Sequence, residues 1–316
     1  METRKIVITG ATGFVGSNLA RYFAGLNNEV HLLLRPSSDT WRIADIMDDI
    51  NVHKADLTAP AVLERVVTSV RPDVILHMAV YGGHPFQNDT KKIFDANLHG
   101  TINLVKACRS LDYELFVNTG SSSEYGVKRQ PIVETDVCEP GEDYGLSKAA
   151  ASMYCQMTAR RDRKPIITFR LFSPYGSYDD STRLIPSVII SCLNGRRPKV
   201  SSPDFVRDYI YIRDIVSAYE KAIETSHRQS PGEIFNIGSG KQQTVGKIVK
   251  YIVQLVNKNI EPEWGSPGKR QNEPLVWQAD VSKAESSLGW KPQYSIEQGL
   301  GEAVEWFRKN VGLYGG

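Results

Sequence analysis

An α/β fold, a doubly wound parallel sheet with a smaller C-terminal lobe, is predicted by three features of the 316-residue chain. Short β-branched runs alternate with helix-length segments from Lys5 to Phe172, and strands separated by helices pair in parallel. A glycine turn joins the first run directly to the first helix. After Phe172 the alternation loosens into a polar, turn-rich stretch, Ser173–Arg183, followed by a second set of elements.

Lys5–Thr9 (KIVIT) is apolar and β-branched, which predicts a buried strand. It runs into Gly10-Ala11-Thr12-Gly13-Phe14-Val15-Gly16, after which Ser17–Ala24 has helical character. Strand, glycine turn and helix in this order make a Rossmann-like dinucleotide site. The glycines allow a tight turn and close approach of a pyrophosphate, and the helix N-terminus favours an anion. Gly10, Thr12, Gly13, Phe14, Val15 and Gly16 are therefore cofactor candidates. The next strand, Val30–Leu34, ends in Arg35-Pro36-Ser37-Ser38, where an Asp or Glu commonly holds the ribose hydroxyls of NAD. Arg35 and Ser38 suit a 2′-phosphate, which favours NADP(H), with NAD as the alternative.

The alternation continues through strands at Val52–Lys54, Val74–Met78, Leu115–Thr119 and Ile166–Phe172. Helices are expected at Ala59–Val70, Lys91–Ser110 and from Asp143 to about Arg161. Ligands of such sheets bind beyond the carboxyl ends of the strands. Asp56 and Leu57, Met78 and Ala79 fall there, and Asn97 is assigned with them to the cofactor. His77, on a buried strand, reads as a structural hydrogen-bonding residue rather than a base. In the second half, Leu184–Asn194, Thr244–Val256, Ser282–Leu288 and Ile296–Lys309 read as helices, with a loop at Glu261–Pro274. Tyr209–Ile212 and Ile234–Ile237 read as strands that return to the main sheet or border it. Residues 1–172 thus form the dinucleotide-binding unit, with 209–237 returning to it. Residues 173–208 and 238–316 form the substrate lobe, and the cleft between is the expected substrate site.

Composition excludes several classes of function. A net charge of +2 gives no basic stripe for nucleic acid. Cys108, Cys138, Cys155 and Cys192 lie far apart, with neither disulfide nor zinc spacing, and His84 and His99 complete no metal site. No signal-like stretch or membrane-length apolar run is evident, so a cytoplasmic protein with reduced thiols is expected.

Chemistry is suggested by Asp143-Tyr144-Gly145-Leu146-Ser147-Lys148. Tyr144 and Lys148, four apart, project from one helix face. An ammonium beside a phenol lowers its pKa towards the range useful for proton transfer. The spacing alone also fits any amphipathic helix.

The ordered set of motifs settles the matter. Gly10-x-x-Gly13-x-x-Gly16, Asp56-Leu57, His77-x-Ala79, Ser121-Ser122-Ser123-Glu124-Tyr125-Gly126, Tyr144-x-x-x-Lys148 and Arg170–Gly176 occur in sequence. Arg207–Asp214, Asn236-Ile237-Gly238 and Leu288-Gly289-Trp290 follow. Together they resemble the extended short-chain dehydrogenase/reductases that act on nucleotide sugars. The resemblance implies hydride exchange between a sugar carbon and a nicotinamide. Tyr144 would exchange the hydroxyl proton, Lys148 would hold the nicotinamide ribose and tune the phenol, and Ser121 would bond the reacting oxygen. Ser122 and Ser123 beside it are assigned to the substrate.

Sugar 4,6-dehydratases of this family carry Glu two residues before the Tyr-Gly tyrosine, often preceded by Asp. Ser122 and Ser123 stand there instead, and Glu124 falls one position later, on the opposite side of an extended segment. A dehydratase is therefore disfavoured. A nucleotide 4-keto-6-deoxy sugar reductase using NADPH is the first expectation, and a 4-epimerase with retained NAD the second. A non-catalytic dinucleotide sensor would have no need of Ser121, Tyr144 and Lys148 together. The resemblance also places Arg207 and Arg270 on the nucleotide diphosphate, and implies a homodimer built on the Tyr144 helix and on Lys91–Ser110. Ser173 stands where the family commonly has Asn, so no substrate contact is carried over to it.

Overall fold

The computed structural model describes residues 3–84, 86–265 and 274–314. Its first half runs β1 (Lys5–Thr9), α1 (Phe14–Ala24), β2 (Glu29–Leu34), β3 (Asn51–Lys54), α2 (Pro60–Val70) and β4 (Val74–His77). Next come α3 (Thr90–Phe94), α4 (Gly100–Ala107), β5 (Leu115–Ser121), α5 (Asp143–Asp162) and β6 (Ile166–Leu171). The second half adds β7 (Ser173–Tyr175), α6 (Leu184–Leu193), β8 (Lys199–Val200), β9 (Val206–Tyr211) and α7 (Ile212–Glu224). It closes with β10 (Ile234–Ile237), β11 (Gln242–Thr244), α8 (Val245–Val256), β12 (Glu263–Trp264), α9 (Ser282–Leu288) and α10 (Ile296–Asn310).

Seven strands form one sheet in the order β10-β6-β5-β4-β1-β2-β3, all pairs parallel. The doubly wound character is visible within β1, where Ile6 and Ile8 enter one core cluster and Val7 enters the other. Strand order reverses between β1 and β4, the place where such sheets open a crevice for a ligand.

Of the two strands expected to rejoin this sheet, Ile234–Ile237 does so as its edge strand. The run at Tyr209–Ile212 belongs instead to a separate three-stranded sheet, β11-β9-β7. Its last residue already opens α7, a helix without a sequence signal of its own. No glycine or proline separates the strand from the helix, and Tyr211 provides no side-chain cap.

The helix expected over Lys91–Ser110 is interrupted by a π turn at Asp95–His99 and ends at Ala107. Gly100, directly after the π turn, lies against Leu57, whose Cβ would be 3.0 Å from an added Cβ.

Two aspartates of the Arg207–Asp214 stretch fasten loops of the second half. Asp208 is fully buried and accepts from the backbone of Ser239 (2.7 Å), Gly240 (3.1 Å) and Ala279 (2.9 Å), and from the Ser239 hydroxyl. Asp214 accepts from the backbone of Gln293 and Tyr294, and its carbonyl receives the Trp290 indole N–H. Both carboxylates satisfy loop amides, of which that of Ala279 is fully buried.

Candidate active site

The glycine turn has the shape a dinucleotide needs. Gly10 adopts φ +68°, and a Cβ there would come within 2.6 Å of Ala79 N. On Gly16 it would lie 2.3 Å from Gly10 O. Backbone therefore packs on backbone, leaving the N-terminus of α1 open beside Gly13, with no side-chain cap and no acid in its first turn. Such an end favours a pyrophosphate, and the residues present fit the expected cofactor. Thr12, Phe14 and Val15 are half-buried around the turn. Arg35 is exposed just past β2, and the Ser38 amide donates to its carbonyl at 3.0 Å. Asp56, past β3, accepts from Thr58 at 2.8 Å, and its carboxyl is held below the usual range by those bonds first and by Arg35 as a lesser cause.

A chain of hydrogen bonds ties this turn to the neighbouring helices. The amides of Met78 and Ala79 each donate to Thr9 Oγ1 at 3.2 Å, and Thr9 Oγ1 lies 2.7 Å from His77 Nδ1. His77 Nε2 is 2.8 Å from Thr101 Oγ1, which donates to the Asn97 carbonyl. Burial pushes His77 down to about 3, so the ring is a neutral structural link and not a base. Asn97 is fully buried, accepting from Tyr81 N and donating to Tyr81 O and Ser147 Oγ. Its amide holds the loop after β4 to α5.

Ser121 and Tyr144 meet at the end of β5, with Lys148 a turn along α5. Gly145 allows this, because its Cα faces Ser123 O so closely that a Cβ would sit at 2.6 Å. The short turn Ser122–Glu124 is thereby pressed onto the start of α5. Ser122 is buried there and Ser123 half-buried. Burial raises the Tyr144 phenol, while the Ser121 hydroxyl bonded to it and the Arg183 charge act in the opposite sense. The lowering expected from Lys148 is absent among these causes. Lys148 is 3 % exposed, and its charge acts on His77 and Cys155. Burial lowers its own pKa and Glu124 opposes that change.

Arg183, which sequence reasoning passed over, is the N-cap of α6 and lies 3.8 Å from Asp179. Its position before an apolar run marked a helix start, but nothing local indicated that it would face Tyr144.

Glu124 is unavailable as a dehydratase acid. It is fully buried and accepts from Ser121 N (2.8 Å), Ser152 Oγ (2.9 Å) and Arg170 Nε (2.7 Å). Arg207, on β9, donates to Val206 O and lies over the Trp277 ring at 5.4 Å. Arg270 lies outside the described residues. Among the described residues no cluster of His, Cys, Asp or Glu could hold a metal ion, the four cysteines are free, and no helix is long and apolar enough to cross a membrane.

Comparison with known proteins agrees with this geometry. Residues 6–238 match the NAD dependent epimerase/dehydratase family. The UDP-glucose 4-epimerase GEPI48 of Cyamopsis tetragonoloba is 27% identical, with 100% of this chain and 98% of that protein covered. The dTDP-glucose 4,6-dehydratase 1 of Escherichia coli (strain K12) is 26% identical, with 97% and 93% covered. In fold, the chain superposes on a UDP-glucose 4-epimerase of Thermotoga maritima solved with UDP-glucose, at a TM-score of 0.89, 24% identity and 97% and 99% coverage. The matched span holds the glycine turn, the Ser121 turn and the Tyr144 helix, and the chain belongs to the NAD dependent epimerase/dehydratase family.

Proposed function

We propose that the protein reduces the C4 ketone of a nucleotide 4-keto-6-deoxy sugar, with Tyr144 supplying the proton. The observation that carries this reading is the corner where Ser121 meets Tyr144 while the adjacent Glu124 is locked inward. Such a corner can polarise and protonate a carbonyl oxygen but offers no Glu124 carboxyl for expelling hydroxide from the next carbon. Ser121 orients the ketone oxygen and Tyr144 protonates it. Lys148 holds the nicotinamide ribose by its ammonium, and Ser122 and Ser123 border the sugar. Arg207 and Arg270 take the diphosphate. When bound by the glycine turn, with Asp56, Leu57, Met78 and Ala79 lining the strand ends, the dinucleotide supplies the hydride. Arg35 and Ser38, at a strand end without a carboxylate, support NADPH as that dinucleotide.

A second reading, a 4-epimerase with retained NAD, is supported by the epimerases among the relatives and by the family's cofactor. The deciding experiment denatures the purified protein to identify any released dinucleotide. It then follows NADPH consumption with nucleotide 4-keto-6-deoxy sugars and isomerisation of nucleotide hexoses. Tightly held NAD, with interconversion of C4 epimers and no NADPH consumption, would replace the reductase by the epimerase.

A cytoplasmic homodimer completes the proposal. Ala149, Ala151 and Ser152 pack inside the subunit, but Leu146, Met153 and Met157 leave an exposed apolar stripe along α5. That stripe supports pairing of α5 with its counterpart in a second copy.

A further inference from the structure

We propose that Glu124 is a positioning residue for this reaction, a buried carboxylate that fixes Ser121 on β5 against the helix that carries Tyr144. The inference rests on the proton-donor role given to Tyr144 above.

Geometry carries it. Glu124 Oε1 accepts from the backbone N–H of Ser121 on β5 and from the hydroxyl of Ser152 on α5, while Oε2 accepts from Arg170 on β6. One side chain therefore spans the strand that presents Ser121, the helix that presents Tyr144 and Lys148, and the neighbouring strand. Every one of these partners donates, so the carboxyl acts as an acceptor only, as an ionised group does. Gly120 makes room for it, since a Cβ there would lie 2.4 Å from Oε1.

Arg170 is held in turn, over the Tyr125 ring at 4.4 Å and with Nη2 donating to Cys138 Sγ at 3.2 Å. Besides its partner Arg170, the titratable groups on which the charge of Glu124 acts are Tyr125, Cys138, Tyr144, Lys148 and Cys155. Its negative charge acts on both catalytic groups in one sense, making the Tyr144 phenol harder to ionise and the Lys148 ammonium harder to lose. Both groups must be protonated for Tyr144 to donate while Lys148 holds the ribose. Glu124 therefore extends the working range of the site towards alkaline pH.

Glu124→Gln keeps an acceptor for Ser121 N and removes the charge. It would also leave the Arg170 guanidinium buried beside a neutral amide, which is costly. The same test is therefore run on Glu124→Gln combined with Arg170→Met, which removes both charges. In the folded variants the alkaline limb of kcat is expected to move down by about one pH unit, with dinucleotide Kd at neutral pH unchanged within about twofold. A purely structural cap would lower Tm and leave the limb in place, and an unmoved limb in either folded variant overturns the proposal.

Glu124→Asp provides an arm that retains the charge but is one methylene short of Ser121 N. It is expected to keep the limb and lose kcat by about tenfold, and full kcat in that variant overturns the positioning role. Tyr144→Phe run alongside separates the two levels of inference. An active Tyr144→Phe enzyme refutes the proton-donor reading, whereas an inactive one with an unmoved limb in the Gln variants refutes only the role of Glu124.

Discussion

Two regions of the molecule bury carboxylates completely and treat them differently. At the end of β5, Glu124 is matched by a guanidinium and reaches between elements whose side chains do chemistry. On β9 of the three-stranded sheet, Asp208 is matched by three backbone amides and a hydroxyl, and burial pushes it up to about 6. A carboxylate held by a cation keeps its charge and projects a field onto its neighbours. One held by neutral amides mainly satisfies loops that would otherwise pay for unpaired donors. The first arrangement supports catalysis and the second supports shape, although both sit in motifs of equal prominence in the sequence.

The largest expected effect separates the two regions outright. Tyr144→Phe should lose about 10³-fold in kcat while dinucleotide Kd and thermal stability stay close to the parent protein, as titration and calorimetry would read. Retained turnover would remove the β5 corner from the chemistry. Asp208→Ala should behave inversely. Orphaning three amides, with that of Ala279 fully buried, should cost about 3 kcal/mol of stability, visible in denaturant titration, without displacing the pH limb of whatever activity survives. A displaced limb would mean that the Asp208 carboxylate also reaches the reacting groups.

A smaller effect comes from His77. Its folded pKa, near 3, lies below the value of about 6.5 expected in the unfolded chain. Its contribution is therefore complete above about pH 6.5 and is lost as pH falls from there towards 3, by about 2 kcal/mol at pH 5. Unfolding measured between pH 7 and 5 should take up protons, a trend that His31 and His53, also lowered by burial, reinforce. Stability that is flat over this interval would contradict the buried neutral ring. The smallest effect is at the cofactor's far end. Arg35→Asp should lower the NADP-to-NAD affinity ratio by about tenfold, and an unchanged ratio would return the cofactor assignment to NAD.

Much of the sheet was legible because β1, β4 and β6 are buried on both faces and must be apolar throughout. The glycine turn was legible for a similar reason, since Gly10 and Gly16 stand where any Cβ would collide with backbone. What escaped depends on tertiary placement. The helix after β9 begins without punctuation, and the strand before it joins a sheet that local pattern cannot distinguish from the main one. Arg183 brings its charge towards Tyr144 from a part of the chain that no local pattern connects with α5.

The π turn at Asp95–His99 has a consequence for how this chain tolerates insertions and deletions. It holds one extra residue, between a helical stretch set against α5 and another set against α2 and the sheet. The wide turn takes up that residue within about one rotation, so a single-residue deletion there would give an ordinary helix and leave the downstream phase nearly unchanged. A one-residue deletion inside α4 finds no such slack, and the residues beyond it would rotate by about 100° away from their partners. One-residue deletions should therefore be tolerated better at Asp95–His99 than within α4. The segment that packs on the Tyr144 helix thus carries its own allowance in length.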